Sequence, residues 1–375
     1  MSKAELQESR AATLAVGYRP WLDGLRAVAV VMVVVQHALG AIPIDLGFVG
    51  VGLFFALSGY LITSLLLDER AARGRVSLST FYLRRAARLF PALLLVLVVC
   101  DALFLLQRDL APLKDSLASL GYIANYVEII ESRWLNAYGP TWSLAVEEHF
   151  YIVWPLVLLG ITGRFGLRTA LKVTLALCLV SLAWRAALAG MNASYFLLGI
   201  GSVERADALL YGCASAIAIR LGWRPRAWML WIGIVAVGVS PILFGHESYP
   251  TLVVGSAAVA IAAAAVVAGM DYAAPHWLRR SMSLRPVVMV GVLSYGIYLW
   301  HQPLLRIFEN LSLTSRGYRA MAVLIAVLLA GLSHRFVEVP IRSLVRRRTR
   351  SARAAVTHRS LEVVPHKPMA AEAER

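Results

Sequence analysis

Charged side chains and cysteines are both scarce in this chain of 375 residues. Asp, Glu, Lys and Arg together make up 16% of the residues, whereas hydrophobic types make up 59%. Apolar runs of membrane length recur from end to end, and no polar block of domain size separates them. This pattern excludes a soluble protein with a single core. It predicts an all-α fold, a polytopic membrane helix bundle that forms one membrane domain.

Acidic residues are scarcer than basic ones, with 22 Asp and Glu against 37 Lys and Arg, which gives a net charge of +15. In a soluble protein this excess would suggest a nucleic-acid partner. Here the arginines lie in short connections between apolar runs, so they indicate membrane topology instead. The three cysteines, Cys100, Cys178 and Cys213, lie within apolar runs and show neither disulfide nor zinc spacing. The sequence therefore predicts no nucleic-acid partner, no metal site and no permanently bound cofactor.

Ten apolar segments are long enough to cross a bilayer, and an eleventh is weaker. The ten are Trp21 to Ile42, Gly47 to Leu67, Leu89 to Gln107, Thr141 to Ile161, Thr169 to Leu188, Val203 to Leu221, Trp228 to Phe244, Thr251 to Met270, Val287 to Phe308 and Tyr318 to Val337. The weaker segment, Ser116 to Ile130, contains Asn125 and Glu128, and we expect it to be re-entrant or interfacial.

With the weaker segment left out of the count, the arginine-rich connections all fall on the side of the N-terminus, which the positive-inside rule places in the cytosol. We therefore predict about ten transmembrane helices plus the re-entrant or interfacial segment, in the cell (inner) membrane. The transmembrane domain covers residues 21–342. It follows a cytosolic segment, 1–20, and precedes a basic, disordered cytosolic tail, 343–375.

The first span carries two ionisable residues, Arg26 and His37. They are eleven residues apart, close to three helical turns, so both lie on roughly the same face of one helix. A charge at this depth costs about 2.5 to 3.5 kcal/mol, so by default it indicates a functional site that faces the protein interior. The alternative is a histidine bonded to a neighbouring helix and an arginine that extends to the membrane surface.

Ionisable residues of four predicted spans lie at a similar depth near the outer membrane surface, as calculated from the helical rise per residue. These residues are His37, Glu147 with Glu148, Arg205 with Asp207, and His301. At the inner mouth lie Arg84, Arg85 and Arg88. This arrangement predicts a polar passage with a cationic entrance for a polyanionic ligand, and a histidine beside a carboxylate for general-base work.

Packing offers alternative interpretations for several of these residues. Arg205 with Asp207, and Glu338 with Arg342, are better explained as salt bridges that hold helices together. Glu147 and Glu148 point about 100° apart, so only one of them can face His37.

Seven stretches of the chain, taken together, resemble the integral-membrane acyltransferase family 3, whose members O-acylate surface polysaccharides and some secondary metabolites. The stretches are YRPWLDGLRAVAVVMVVVQH from Tyr18, GFVGVGLFFALSGYLI from Gly47, FYLRRAARLFP from Phe81, PTWSLAVEEHFYIVWP from Pro140, RADALLYG from Arg205, LSYGIYLWHQPL from Leu293 and FVEVPIR from Phe336.

The resemblance implies that His37 is the catalytic residue of a motif that also contains Arg26. It implies that the arginines at 84, 85 and 88 lie near the acyl-coenzyme A site, and that the stretch from Trp142 to Glu147 helps to build the active site. Two departures are visible: Gly52 stands where the family often has an acidic residue, and His149 where it often has glutamine. Some relatives carry an additional extracytoplasmic domain, so a separate extracytoplasmic transfer protein is a possible partner here.

The leading hypothesis is transfer of an acyl group, most simply acetyl, from cytosolic acyl-coenzyme A to a hydroxyl of a cell-surface or lipid-linked glycan. His37 is the expected catalytic residue with Arg26, and Glu147 is expected to orient the imidazole. Arg84, Arg85 and Arg88 are expected to bind the donor phosphates. The residues expected near the substrate are Trp142, Ser143, Glu148, Arg205, Asp207 and His301. The rival hypotheses are acylation of a small secreted metabolite such as a macrolide, and a proton-coupled exporter with a relay through His37, Glu147 and His301.

Overall fold

The computed structural model describes residues 18–40, 44–244 and 248–349, and the regular elements in this part of the chain are helices. The first seven are α1 Pro20–Leu39, α2 Leu46–Arg73, α3 Leu78–Leu106, α4 Ala111–Leu120, α5 Ala124–Glu131, α6 Thr141–Arg164 and α7 Gly166–Gly190. The next seven are α8 Tyr195–Ile200, α9 Ala206–Arg220, α10 Ala227–Leu243, α11 Ser256–Tyr272, α12 His276–Met282, α13 Arg285–Asn310 and α14 Arg316–Ser333. Wide π-helical turns, Thr251–Gly255 and His334–Glu338, precede α11 and follow α14.

Seven of the described helices are long and apolar enough to cross a membrane, which makes this a multi-pass membrane protein. Helices α12 and α13 meet at a bend of 55° and would add an eighth span if they count as one. Helices lie at all ten predicted positions, but α9 has 15 residues and α10 has 17. The all-α membrane class is confirmed, whereas the predicted count of about ten spans is not.

The weaker apolar segment, 116–130, is divided between α4 and α5 by a break at residues 121–123. Two polar side chains of α5, Asn125 and Glu128, are completely buried, and each forms a hydrogen bond. Asn125 Nδ2 donates to Ser202 Oγ at 3.0 Å, and Glu128 Oε1 accepts from the Leu135 amide at 3.0 Å. Burial raises the pKa of the Glu128 carboxyl to about 9, so it is neutral at physiological pH and is buried at lower cost.

The ends of the chain are only partly described. The helix that begins with α14 runs on to Thr349, so residues 343–349, assigned from sequence to the disordered tail, are helical. The rest of that tail, 350–375, and residues 1–17 of the N-terminal segment lie outside the described residues, as do residues 41–43 at the predicted end of the first span.

Helix α1 packs between α2 and α13, and α2 packs on α9 and α11, so these helices surround the interior of the protein. Two glycines bring α2 and α9 together. A Cβ atom added at Gly59 would lie 1.9 Å from the Leu209 carbonyl oxygen, and one added at Gly212 would lie 2.1 Å from that of Ala56. The small residues in the second span therefore serve close helix packing, as in other membrane bundles.

We predict that Gly59→Ala lowers the thermal unfolding temperature in detergent, because the methyl group forces α2 and α9 apart at a cost of about 1–3 kcal/mol. Gly160→Ala in α6 is the matched control, since a Cβ atom there meets no other atom within 4 Å. The control should be neutral or slightly stabilising, because alanine favours helix over glycine. An equal effect of both substitutions would contradict the packing role.

Candidate functional site

A stepped passage enters the helix bundle between α1, α2 and α3. Its three sections have volumes of about 480, 200 and 80 Å³, and the side chains of Arg26 and Arg88 line all three. The widest section opens beside Tyr18 and Arg73. The narrowest ends at Tyr298, deep between α2, α6 and α13. A passage lined by arginines and by Glu147 is therefore present among the described residues, but neither His37 nor His301, expected at its outer part, lines it.

The three arginines at the start of α3 face the passage, but they differ in their partners. Arg84 and Arg88 are four residues apart and share a helix face, whereas Arg85 points about 100° away. Arg85 Nε donates to both oxygens of Glu148, at 2.9 and 3.1 Å, and its guanidinium lies over the Tyr151 ring. The charge of Arg85 is thus already matched by protein groups.

Arg88 differs from Arg85 because its side chain is exposed to the passage and has no hydrogen bond or ion pair to any described residue. Arg26 lies in the same walls, and its Nη1 atom is 3.2 Å from Oδ1 of Asp23. The passage therefore carries the charge of the Arg88 guanidinium, which forms no ion pair with a carboxylate of the described residues. Such a position suits an anionic ligand, above all a phosphate.

Glu147 is one of the polar residues of α6 that line the passage. Its Oε1 atom accepts a hydrogen bond of 3.0 Å from Ser58 Oγ, and its Oε2 atom is 3.9 Å from Arg85 Nη2. Glu147 therefore contacts Ser58 and Arg85 rather than His37, the residue that it was expected to orient. The two adjacent carboxylates both serve Arg85, because α6 turns this face toward α3.

The structure joins His37 directly to His301. The two rings meet edge to edge and nearly coplanar, with centroids 5.1 Å apart and planes 18° apart, and His37 Nδ1 lies 2.9 Å from His301 Nε2. His301 is completely buried, while His37 is half-buried near the end of α1. The similar depth predicted for these two residues on different helices is therefore matched by a direct contact.

Tyr298 separates the narrow end of the passage from the histidine pair. Its hydroxyl donates to the Pro140 carbonyl at 2.8 Å and lies 2.7 Å from Ser143 Oγ, and its ring centre is 5.7 Å from that of His301. Trp142 packs edge-on against Phe55, another wall residue. The stretch around Trp142 and Ser143 thus shapes the end of the passage, as the sequence suggested.

Arg205 and Asp207 form part of a buried polar cluster outside the walls described above. Both carboxylate oxygens of Asp207 accept from Arg185, at 2.8 and 3.1 Å, so the predicted Arg205–Asp207 bridge is wrong. Arg205 donates to Ser256 Oγ at 2.7 Å and lies over the Phe48 ring. One sequence feature points to Arg185 as the partner of Asp207. Arg185 is the single arginine within the fifth apolar segment, and an arginine at this depth needs a buried counter-charge.

Two further sequence interpretations can be compared with the structure. Arg342 Nη2 lies 2.8 Å from Oε2 of Glu338, which confirms the pair. Both residues lie on one helical stretch, so this pair does not join two helices as predicted. His149 Nδ1 lies 2.8 Å from Ser202 Oγ, and its ring packs near Tyr126, so His149 is a packing residue.

Comparison with known proteins identifies the family to which the chain is similar. A family model described as "Acyltransferase domain", of acyltransferase family 3, matches residues 19–334. The chain is 34% identical over 350 residues to the peptidoglycan O-acetyltransferase OatA of Listeria monocytogenes, covering 87% of this chain and 56% of the relative. It is 31% identical over 353 residues to the O-acetyltransferase OatA of Staphylococcus aureus, covering 87% and 57%.

A third relative, the putative peptidoglycan O-acetyltransferase YrhL of Bacillus subtilis, is 31% identical over 354 residues, covering 87% of this chain and 55% of the relative. The chain thus spans about half the length of these relatives. No solved structure matches it significantly. Because the family model covers most of the chain, with the passage and both histidines inside the matched range, this protein belongs to acyltransferase family 3.

Proposed function

We propose that this protein is a membrane O-acetyltransferase that moves an acetyl group from cytosolic acetyl-coenzyme A to a hydroxyl of a cell-wall glycan. The observation that carries the proposal is the stepped passage, with its unmatched guanidinium charge, leading toward a histidine pair. The names of the relatives support acetyl as the group and a peptidoglycan-type glycan as the acceptor. The protein would lie in the cell (inner) membrane with both termini in the cytosol.

The donor fits the passage section by section. The wide section of about 480 Å³ suits the nucleotide, and the narrower sections suit a thin pantetheine arm. Arg88, and Arg84 on the same helix face, would bind the phosphates with Arg26, since guanidinium groups form strong charge-assisted hydrogen bonds to phosphate. Arg85, bound to Glu147 and Glu148, would shape the wall instead. Acyl-coenzyme A is here a co-substrate and not a resident cofactor.

The chemistry would centre on His37, which receives the acceptor from the outer side of the membrane. In direct transfer, His37 removes the hydroxyl proton while the hydroxyl oxygen attacks the thioester carbonyl. The C–S bond breaks, the acetyl ester forms, and the imidazolium returns its proton to the coenzyme A thiolate. In the alternative route the imidazole attacks the thioester carbonyl, the C–S bond breaks, and coenzyme A leaves as the thiolate. A hydroxyl of the acceptor, or of a separate extracytoplasmic transfer protein, then attacks the acetyl-imidazole. The bond from the imidazole to the acetyl group breaks, and the hydroxyl proton finally neutralises the thiolate.

The rival hypotheses fit less well. A proton-coupled exporter would need His37, Glu147 and His301 in one relay, yet Glu147 contacts Ser58 and Arg85. Acylation of a small secreted metabolite would use the same passage and the same histidine. It is the second candidate, but the names of the relatives favour a glycan acceptor.

We predict that Arg88→Gln raises the KM for acetyl-coenzyme A about 10- to 100-fold, because a charge-assisted hydrogen bond contributes about 1.5–3 kcal/mol. Thiol release by the purified protein in nanodiscs, measured against donor concentration, checks this value. Arg168→Gln is the matched control, since Arg168 is exposed and outside the walls of the passage. An unchanged KM in Arg88→Gln would place the donor phosphates elsewhere.

A further inference from the structure

Both ring nitrogens of His301 have a defined partner. His301 Nδ1 lies 3.2 Å from the Ile297 carbonyl oxygen one turn earlier on α13, and His301 Nε2 lies 2.9 Å from His37 Nδ1. A carbonyl oxygen can only accept a hydrogen bond, so Nδ1 of His301 must carry the hydrogen. In the neutral ring, Nε2 of His301 is then the unprotonated nitrogen and can only accept.

The protonation of His301 fixes the tautomer of His37. Because His301 Nε2 accepts, His37 Nδ1 must donate, and the lone pair of the neutral His37 ring is then on its Nε2 atom. The two rings lie edge to edge with their planes only 18° apart, so the hydrogen bond is nearly in the plane of both rings and restricts rotation of the His37 imidazole. One atom of His37 is thereby selected as the base or nucleophile.

We propose that His301 is a positioning residue that holds His37 in the tautomer with a free Nε2, and that it does not bind the substrate. This inference rests on the proposed function, in which His37 performs the transfer. The complete burial of His301 supports it, because an acceptor glycan could not reach this ring. When His37 takes up a proton, the resulting cation keeps His301 Nε2 as its hydrogen-bond acceptor. The orienting role expected for Glu147 thus belongs to His301.

Two substitutions separate this role from simple packing. In His301→Gln the amide oxygen can reach the place of Nε2 and accept from His37 Nδ1. In His301→Phe the ring volume is kept but the acceptor is lost. We expect His301→Gln to retain kcat within about tenfold of the wild type and His301→Phe to lose about 100-fold or more, the usual range for loss of effective general-base catalysis. The KM for acetyl-coenzyme A should be unchanged in both, because Arg88, proposed to bind the donor phosphates, lines the passage and His301 does not.

The assay is acetyl-coenzyme A consumption by purified wild-type and variant proteins in nanodiscs, with thermal unfolding measured alongside. Equal kcat values for His301→Gln and His301→Phe, whether both normal or both reduced, would overturn the positioning role. Consumption by the wild type that persists in His37→Ala would overturn the proposed function itself. His37-dependent consumption that His301→Phe leaves intact would overturn only the inference about His301.

Discussion

His37→Ala is expected to reduce acetyl transfer about 10²- to 10⁴-fold, the range that a positioned acid–base residue contributes. The reason is that His37 is the half-buried member of the histidine pair and the proposed site of transfer, whereas His301 is completely buried beside it. Removal of the imidazole leaves neither a base for the acceptor hydroxyl nor an atom that could carry the acetyl group. Donor affinity should stay unchanged, because Arg26 and Arg88 line the passage, whereas His37 lines none of its three sections.

The measurement is acetylation of a soluble glycan acceptor, together with the KM for acetyl-coenzyme A. His149→Gln is the matched control, because His149 packs against Tyr126 and bonds to Ser202 at a distance from the histidine pair, and glutamine can keep the latter bond. The control should be nearly as active as the wild type. Undiminished transfer by a folded His37→Ala protein would exclude His37 as the catalytic residue.

Asp207→Ala is expected to destabilise the protein by about 3–5 kcal/mol, the usual cost of removing one partner of a buried ion pair. The side chains of Arg185 and Asp207 are 0% and 1% exposed. Without the carboxylate, Arg185 remains charged in the protein interior, and Arg205, also buried, adds a second positive charge nearby. The loss of stability therefore comes from the Arg185 guanidinium, which is buried without a counter-charge in the variant.

Thermal unfolding in detergent, followed by tryptophan fluorescence, tests this prediction. Lys114→Ala is the control, since the Lys114–Glu131 pair lies at the surface with Lys114 72% exposed, and such pairs contribute little. An unfolding temperature that stays at the wild-type value in Asp207→Ala would show that Arg185 finds other partners.

The depth of each ionisable residue could be predicted from the sequence, because the rise per residue of a helix is constant. For this reason the similar level of His37 and His301 could be predicted from spacing, whereas the direct contact between their rings could not. The rotation of each helix about its axis could not be predicted, because it depends on packing against neighbours far away in the chain. Glu147 therefore faces Ser58 and Arg85 instead of His37.

The partner of a buried charge could not be predicted either, because it also depends on how distant helices pack together. Asp207 was paired by proximity in sequence with Arg205, whereas the structure pairs it with Arg185, 22 residues earlier. Hydropathy also does not give helix length. The sixth apolar segment, Val203 to Leu221, contains the 15-residue helix α9 and turns at both ends, so the predicted count of about ten spans is not confirmed.

The central claim is that the passage delivers acetyl-coenzyme A to His37 for transfer to a glycan. The most direct test incubates the purified protein in nanodiscs with acetyl-coenzyme A carrying a radioactive acetyl group and with a peptidoglycan fragment, and follows thiol release and glycan labelling together. The account predicts labelled glycan and equimolar thiol from the wild type, and neither product above background from His37→Ala. Equal glycan labelling by the wild type and His37→Ala would contradict it. Thiol release by the wild type without labelled glycan, at every glycan concentration tested, would contradict it as well.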